Sequence, residues 1–322
     1  MTDWYGVWVT YDIDDSKPDW YSKVLGHEEA VIKDSVSLPE GPFSLIIGTY
    51  DNGKICYSDI TKYPERRMLG DTADIAYQYS DPGFVVFSCV SDKIYVSYDY
   101  GNDTVEVPSG VKNTMGAAIS ATDKDNILVI GWGDVPYYTK DGGKTWHQSS
   151  GATANEMKHK SDEKPILEPD GKDGNVFYYS GKDGLYRSDN GGESFTLVST
   201  DFSEFAVIYT APGKEGWVYA VDENGNFYKS IDFGETFVKV KNITSVDSIS
   251  FGKGKTDEYA LYAVGEHNGV YGLYISDNYG ETWELMKRVE ELNLFKDVEG
   301  DMQEYGTCYL FGRGLGAKVC YK

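Results

Sequence analysis

Thiols, imidazoles, guanidinium groups and carboxylates are the side chains in this sequence with chemistry to offer, and their spacing decides how much of it is used. The four cysteines are Cys56, Cys89, Cys308 and Cys320, and none stands in a C-x-x-C pair. Each lies in an apolar, strand-like run, which predicts buried thiols rather than metal ligands. Cys308 and Cys320 could meet across a C-terminal hairpin. The four histidines, His27, His147, His159 and His267, show no ligand spacing. No metal or cofactor is therefore expected. The arginines are Arg66, Arg67, Arg187, Arg288 and Arg313. Two are adjacent and the rest are scattered, which argues against a convergent arginine grip on an anionic substrate.

Many of the carboxylates belong to a repeat. The pattern is Ser/Thr-x-Asp/Asn-x-Gly-x-Thr/Ser-aromatic, the Asp box. Its clear copies start at Thr139, Ser188, Ser230 and Ser276. They carry Asp141, Asn190, Asp232 and Asn278, and end on Trp146, Phe195, Phe237 and Trp283. A degenerate copy starts at Ser97, and worn remains stand at Thr10 and Ser58. The acid or amide can accept backbone N–H bonds across a tight turn, the glycine permits positive φ, and the aromatic can wedge between sheets. These eight residues are read as structural, and neither as a catalytic carboxylate pair nor as a calcium loop.

The elements that must carry such turns are short strands. Starts at 10, 58, 97, 139, 188, 230 and 276 give intervals of 39 to 49 residues, the length of one four-stranded propeller blade. The expected fold is all-β, one seven-bladed propeller over residues 1–322 with little helix. The four box aromatics are expected to be buried. Segments 307–311 and 317–321 are expected to close the ring against the N-terminal strands. Composition agrees: 27 Tyr and 36 Gly against 10 Pro suit pleated strands and tight turns. A net charge of −22 repels phosphate backbones and anionic lipid, so nucleic acid and membrane are unlikely partners, while a neutral polymer meets no such barrier. No apolar run reaches membrane-spanning length.

Outside the boxes, His27–Ile32, Leu38–Gly41, Phe43–Leu45, Val135–Tyr138, Ser248–Lys253, Ala260–Tyr262, Asn268–Leu273 and Gly312–Gly314 occur in an order and spacing that resemble the C-terminal propeller of family 74 glycoside hydrolases, the xyloglucanases. The resemblance covers about residues 26–322. It implies a module of a larger secreted protein acting on plant cell-wall polysaccharide. Residues 1–4 form no basic-then-apolar leader, which fits a module taken from a longer secreted chain.

The resemblance also implies a two-propeller inverting hydrolase, in which acid and base face each other across a cleft. Here the stretch Ser44–Gly53, aligned on Gly48, places Thr49 where that family has its catalytic Asp. Asp51 could serve as general acid only if the loop shifts by two residues. A second cleft-lining stretch is replaced by Lys287–Phe295. The expectation is a non-catalytic module binding xyloglucan or a related β-1,4-glucan. The alternatives are the catalytic half of an endo-xyloglucanase with Asp51 as acid, and a protein-interaction propeller. Trp132, set between Gly131 and Gly133, is the expected stacking platform, with Tyr50, Asp51 and Asn52 beside it. Trp4, Trp8, Trp20 and Trp217 are weaker candidates.

Overall fold

The computed structural model describes the chain except for residues 1, 4–5, 23–30, 51–52, 63, 68, 156–165, 202–205, 289–294 and 313–315. Trp4, Asp51 and Asn52 thus lie outside the described residues. Among the described residues there is no helix. Blades 1 to 6 are four-stranded antiparallel sheets over residues 32–67, 72–108, 114–148, 167–199, 207–239 and 244–288. Blade 7 has three strands, Phe295–Gly300, Thr307–Gly312 and Gly316–Tyr321. The result is a seven-bladed β-propeller. Blade 4 shows the plan, with Leu167–Pro169 innermost, then Phe177–Gly181, Gly184–Ser188 and Thr196–Ser199.

The blade count matches the repeat intervals, but the assignment of one blade differs. The Thr10 hairpin belongs to a separate small sheet of Thr2–Asp3, Gly6–Val9 and Tyr21–Ser22. The box geometry survives there, since the Thr10 hydroxyl bonds Asp12 and the Asp19 N–H donates to Asp12 at 3.1 Å. The ring closes elsewhere, between blades 7 and 1. Tyr309 and Phe311 pack on Leu45 and Ile47. The Ser37 N–H donates to Glu299 Oε1 at 2.9 Å, and the Met302 N–H to Ser37 Oγ at 2.9 Å. A box marks a turn between two outer strands, but it does not say which sheet those strands join.

Burial explains why the second strand of each blade is apolar without alternation. Both faces of a blade are covered by neighbours, so Ile127–Gly131 and Phe177–Gly181 are buried throughout. The core is accordingly divided into seven clusters, one between each adjacent pair of blades. Phe195 and Trp283 are buried, at 3% and 9% exposure. Trp146 and Phe237 are only half-buried, each packed at the rim of its cluster. That corrects the expectation for these two, whose rings are only partly covered by their clusters, whereas Phe195 and Trp283 are closed into theirs. All four cysteines are buried free thiols, and Cys308 faces Cys320 in strand register without a bridge.

The boxes work through two side chains. In blade 4, Asn190 Oδ1 accepts the Ser194 N–H at 3.0 Å, while Ser188 Oγ accepts the Gly192 N–H at 2.9 Å. Ser188 is fully buried. Ser188→Ala strands the Gly192 N–H inside the sheet and is expected to cost about 1–3 kcal/mol. A denaturant midpoint unchanged from the parent would refute that role, and Ser188→Thr should keep most of the stability.

Candidate functional site

The innermost strands run beside the channel, and each has one edge with no strand beyond it. Those edge N–H groups need partners. Side chains from the preceding blade supply them. Asp34 Oδ2 in blade 1 accepts the Ile75 N–H of blade 2 at 2.7 Å, and Asp74 Oδ2 accepts the Ala117 N–H of blade 3 at 2.6 Å. Ser250 Oγ in blade 6 accepts the Gly300 N–H of blade 7 at 3.1 Å. Glu299 in blade 7 accepts the Ser37 N–H of blade 1 and the Ser250 hydroxyl at 2.7 Å.

These strands enclose a channel cavity of about 650 Å³. Six carboxylates line it: Asp34, Asp74, Glu168, Asp247, Asp297 and Glu299. Tyr77, Tyr79 and Tyr209 add aromatic faces, and among the described residues Lys33 is the one cationic side chain in the lining. Burial pushes Glu299 up to about 8, against the hydrogen bonds from Ser250 and Ser37 that hold it down. Burial also raises Glu168 well above the usual carboxylate range, with the charges of Asp74 and Glu299 adding to it. Asp34 is raised for the same reason, by burial first and Asp74 second.

Of the residues singled out in the sequence, the described ones, among them Trp132 and Tyr50, are not part of this lining. Trp132 follows Gly131, in the connection between the second and third strands of blade 3. Thr49–Gly53 makes the same connection in blade 1, so both turns emerge at one end of the ring. The box turns, between third and fourth strands, emerge at the other. Thr49 is fully buried, and its hydroxyl donates to the Gly53 carbonyl at 2.9 Å. Tyr50 is 7% exposed, with Lys33 Nζ 4.8 Å from its ring centre. Trp132 is half-buried against the cluster of Met115, Ile130 and Leu167, and its indole N–H is enclosed without a partner among the described residues.

The flanking glycines have backbone reasons. A Cβ on Gly131 would stand 2.4 Å from the Lys112 carbonyl oxygen, and Gly133 has φ 64°. Trp20 is 40% exposed on the hairpin of the small N-terminal sheet. Trp217 lies under Lys229, whose Nζ is 4.2 Å from the ring centre. The channel carboxylates were missed. Their signal is one acid inside the first strand of a blade, as in Ala73-Asp74-Ile75 or Leu167-Glu168-Pro169.

The chain is 28% identical over 313 residues to xyloglucanase Xgh74A of Acetivibrio thermocellus, covering 91% of this chain and 36% of that protein. This chain is a relative of the family 74 xyloglucanases. A xyloglucanase of a Paenibacillus species is 27% identical over 317 residues, covering 90% of this chain and 30% of that protein. The crystal structure of the family 74 enzyme of Niastella koreensis superimposes with a TM-score of 0.81 at 25% identity, over 97% of this chain and 46% of that one. The Xanthomonas campestris family 74 xyloglucanase has the same fold, with a TM-score of 0.75 at 20% identity, over 95% of this chain and 45% of that one.

The propeller thus spans about a third of the curated relatives' length and under half of these solved chains. The BNR/Asp-box repeat model matches residues 137–148, around the Thr139 box. A model described as sortilin, neurotensin receptor 3, matches residues 183–303.

Proposed function

We propose that this propeller is a non-catalytic glucan-binding module of a larger secreted protein, with xyloglucan or a related β-1,4-glucan as its ligand. The relationship to xyloglucanases over nine-tenths of the chain supports the substrate class. Thr49 carries the non-catalytic reading. A buried hydroxyl already bonded to the Gly53 carbonyl has no acidic proton for a glycosidic oxygen. The ligand contacts in this reading are Trp132 and Tyr50, on the two turns that share one end of the ring, together with Asp51 and Asn52, which follow Tyr50 in the sequence. Xylosyl branches add apolar sugar faces to a shallow aromatic surface. Each stacked ring contributes on the order of 1 kcal/mol, so several are needed for micromolar affinity.

Calorimetry with xyloglucan oligosaccharides is expected to show binding that salt barely alters, since the ligand carries no charge to screen. Unbranched cello-oligomers should bind more weakly. Trp132→Ala should lower affinity at least several-fold per folded molecule. No heat with xyloglucan would sink the reading. The coverage of under half of the solved enzymes supports a second reading, the catalytic half of an inverting enzyme. A reducing-end assay decides between them. Release of reducing ends, abolished by Asp51→Asn, would make Asp51 the acid.

A further inference from the structure

Trp132 needs a fixed direction to act as a stacking platform, and its own turn gives it little. Its neighbours Gly131 and Gly133 have no side chains with which to pin the backbone, and Gly133 stands at φ 64°. The indole N–H is enclosed without a partner among the described residues, so no hydrogen bond to them fixes the ring itself. Apolar packing against the cluster of Met115, Ile130 and Leu167 holds the ring in place, but such contact is not directional.

The hydrogen bonds that fix this turn come from Asn155. The residue is 3% exposed and lies in the connection from blade 3 to blade 4, between His147–Gln148 and Leu167–Pro169. Its Oδ1 accepts the Gly133 N–H at 2.9 Å. Its Nδ2 donates to the Gly131 and Asp134 carbonyls, each at 2.8 Å. The Asn155 N–H donates to the Asp134 carbonyl as well, at 3.0 Å. One amide thus grips the backbone on both sides of Trp132. A carboxylate lacks the donors for this pattern and an ammonium lacks the acceptor.

The connection that carries Asn155 is anchored in turn on blade 4. The Tyr179 hydroxyl donates to the Thr153 carbonyl at 3.0 Å, and the Thr153 hydroxyl donates to Asp183 Oδ2 at 2.9 Å. The Phe195 N–H donates to the Ser150 carbonyl at 2.8 Å. The Trp132 turn of blade 3 is therefore tied to the frame of blade 4.

We propose that Asn155 is the positioning residue of the Trp132 platform. It sets the direction of the indole before a sugar arrives, so that stacking requires no further ordering of the turn. This inference rests on the glucan-binding reading above.

Asn155→Ala is the test, in the whole chain, with Asn126→Ala as its control. Asn126 is buried to a similar depth, at 4% exposure, and its Nδ2 also donates to two carbonyls, those of Thr139 and Gly191, each at 3.0 Å. It does so at the box end of the ring. Both variants should lose stability. Only Asn155→Ala should lose affinity for xyloglucan oligosaccharides, by about fivefold per folded molecule. Asn155→Ala combined with Trp132→Ala should bind no worse than Trp132→Ala alone, because the amide acts through the ring. Near-ultraviolet circular dichroism gives a readout without ligand. The band removed by Trp132→Phe should vanish in Asn155→Ala and survive in Asn126→Ala. Asn155→Asp keeps the acceptor but loses both donors, and it should show the same pattern if the alanine variant does not fold. Survival of the band in the Asn155 variant, or affinity losses that add in the double variant, overturns the proposal. Equal loss of affinity in Asn126→Ala does so as well, by reducing the effect to stability. A parent that binds no xyloglucan overturns the glucan reading instead, and the dichroism band still decides whether Asn155 holds the ring.

Discussion

The melting temperature is expected to fall between pH 5 and pH 8, and Glu299→Gln is expected to remove a large part of that fall. Glu299 moves from an ordinary value of 4.5 to about 8 in the folded chain, chiefly through burial. Between those values the native state holds a proton that the unfolded state has lost. Stability therefore decreases as pH rises through this window, and the effect is complete above the folded value. The ceiling for such a shift is roughly 5 kcal/mol, or several degrees of melting temperature for a chain of this size. Glu168 and Asp34 are raised in the same direction and add to the slope. The box acids act at the other end of the scale. Asp141 is held down to about 2, first by the Thr145 hydroxyl, so its contribution is lost only as pH falls below the usual carboxylate range. The optimum should thus lie in mildly acidic solution.

Glutamine preserves the two contacts that Glu299 makes. Its carbonyl can accept the Ser37 N–H, and its amide can donate to Ser250 Oγ, whose proton can turn to the Phe251 carbonyl. At pH 5 the parent carboxyl is protonated, so parent and variant should melt together. At pH 8 the variant should melt higher. Parallel curves for the two proteins, or a parent that gains stability towards pH 8, would show that the carboxyl is not desolvated as its surroundings imply.

The repeats made the fold legible because each box is a local device. Its acid or amide, hydroxyl and glycine act within five residues of one another, as Ser276, Asn278 and Gly280 do. Spacing between boxes then counts blades. What local pattern does not carry is which sheet an outlying hairpin joins, and so the Thr10 copy pointed to the wrong blade. The channel was illegible for a related reason. Asp34 and Ile75 are 41 residues apart, and Glu299 and Ser37 are 262 apart. An acid inside a strand reads as an ordinary solvent-facing position until ring closure turns its face inward. Trp132 shows the converse. The two flanking glycines that drew notice to it have backbone reasons of their own, since Gly131 gives way to the Lys112 carbonyl and Gly133 turns the chain, and those reasons are silent on what the indole ring meets.

Glycine is also where the smallest substitution should have one of the largest effects. Gly171→Ala is expected to destabilise the protein by about 3 kcal/mol or more, through overpacking that the neighbours cannot relieve. Its φ is not in the left-handed region, so alanine meets no local strain there. The obstacle is the next blade. An added Cβ would stand 1.9 Å from the Ala211 carbonyl oxygen and 2.8 Å from that of Lys214. Both are backbone atoms, and the two turns are also tied together. The Gly213 N–H donates to the Gly171 carbonyl at 2.8 Å, and the Gly216 N–H donates to Asp170 Oδ2 at 2.8 Å. Moving the blade 5 turn aside would break both bonds. Gly70→Ala is the control. Gly70 has φ 91° but no atom within 4 Å of an added Cβ, so only backbone strain of about 1 kcal/mol is expected. Thermal melts of the two variants separate the causes. A larger loss for Gly70→Ala would mean that backbone conformation, and not the contact between blades 4 and 5, governs the stability of these turns.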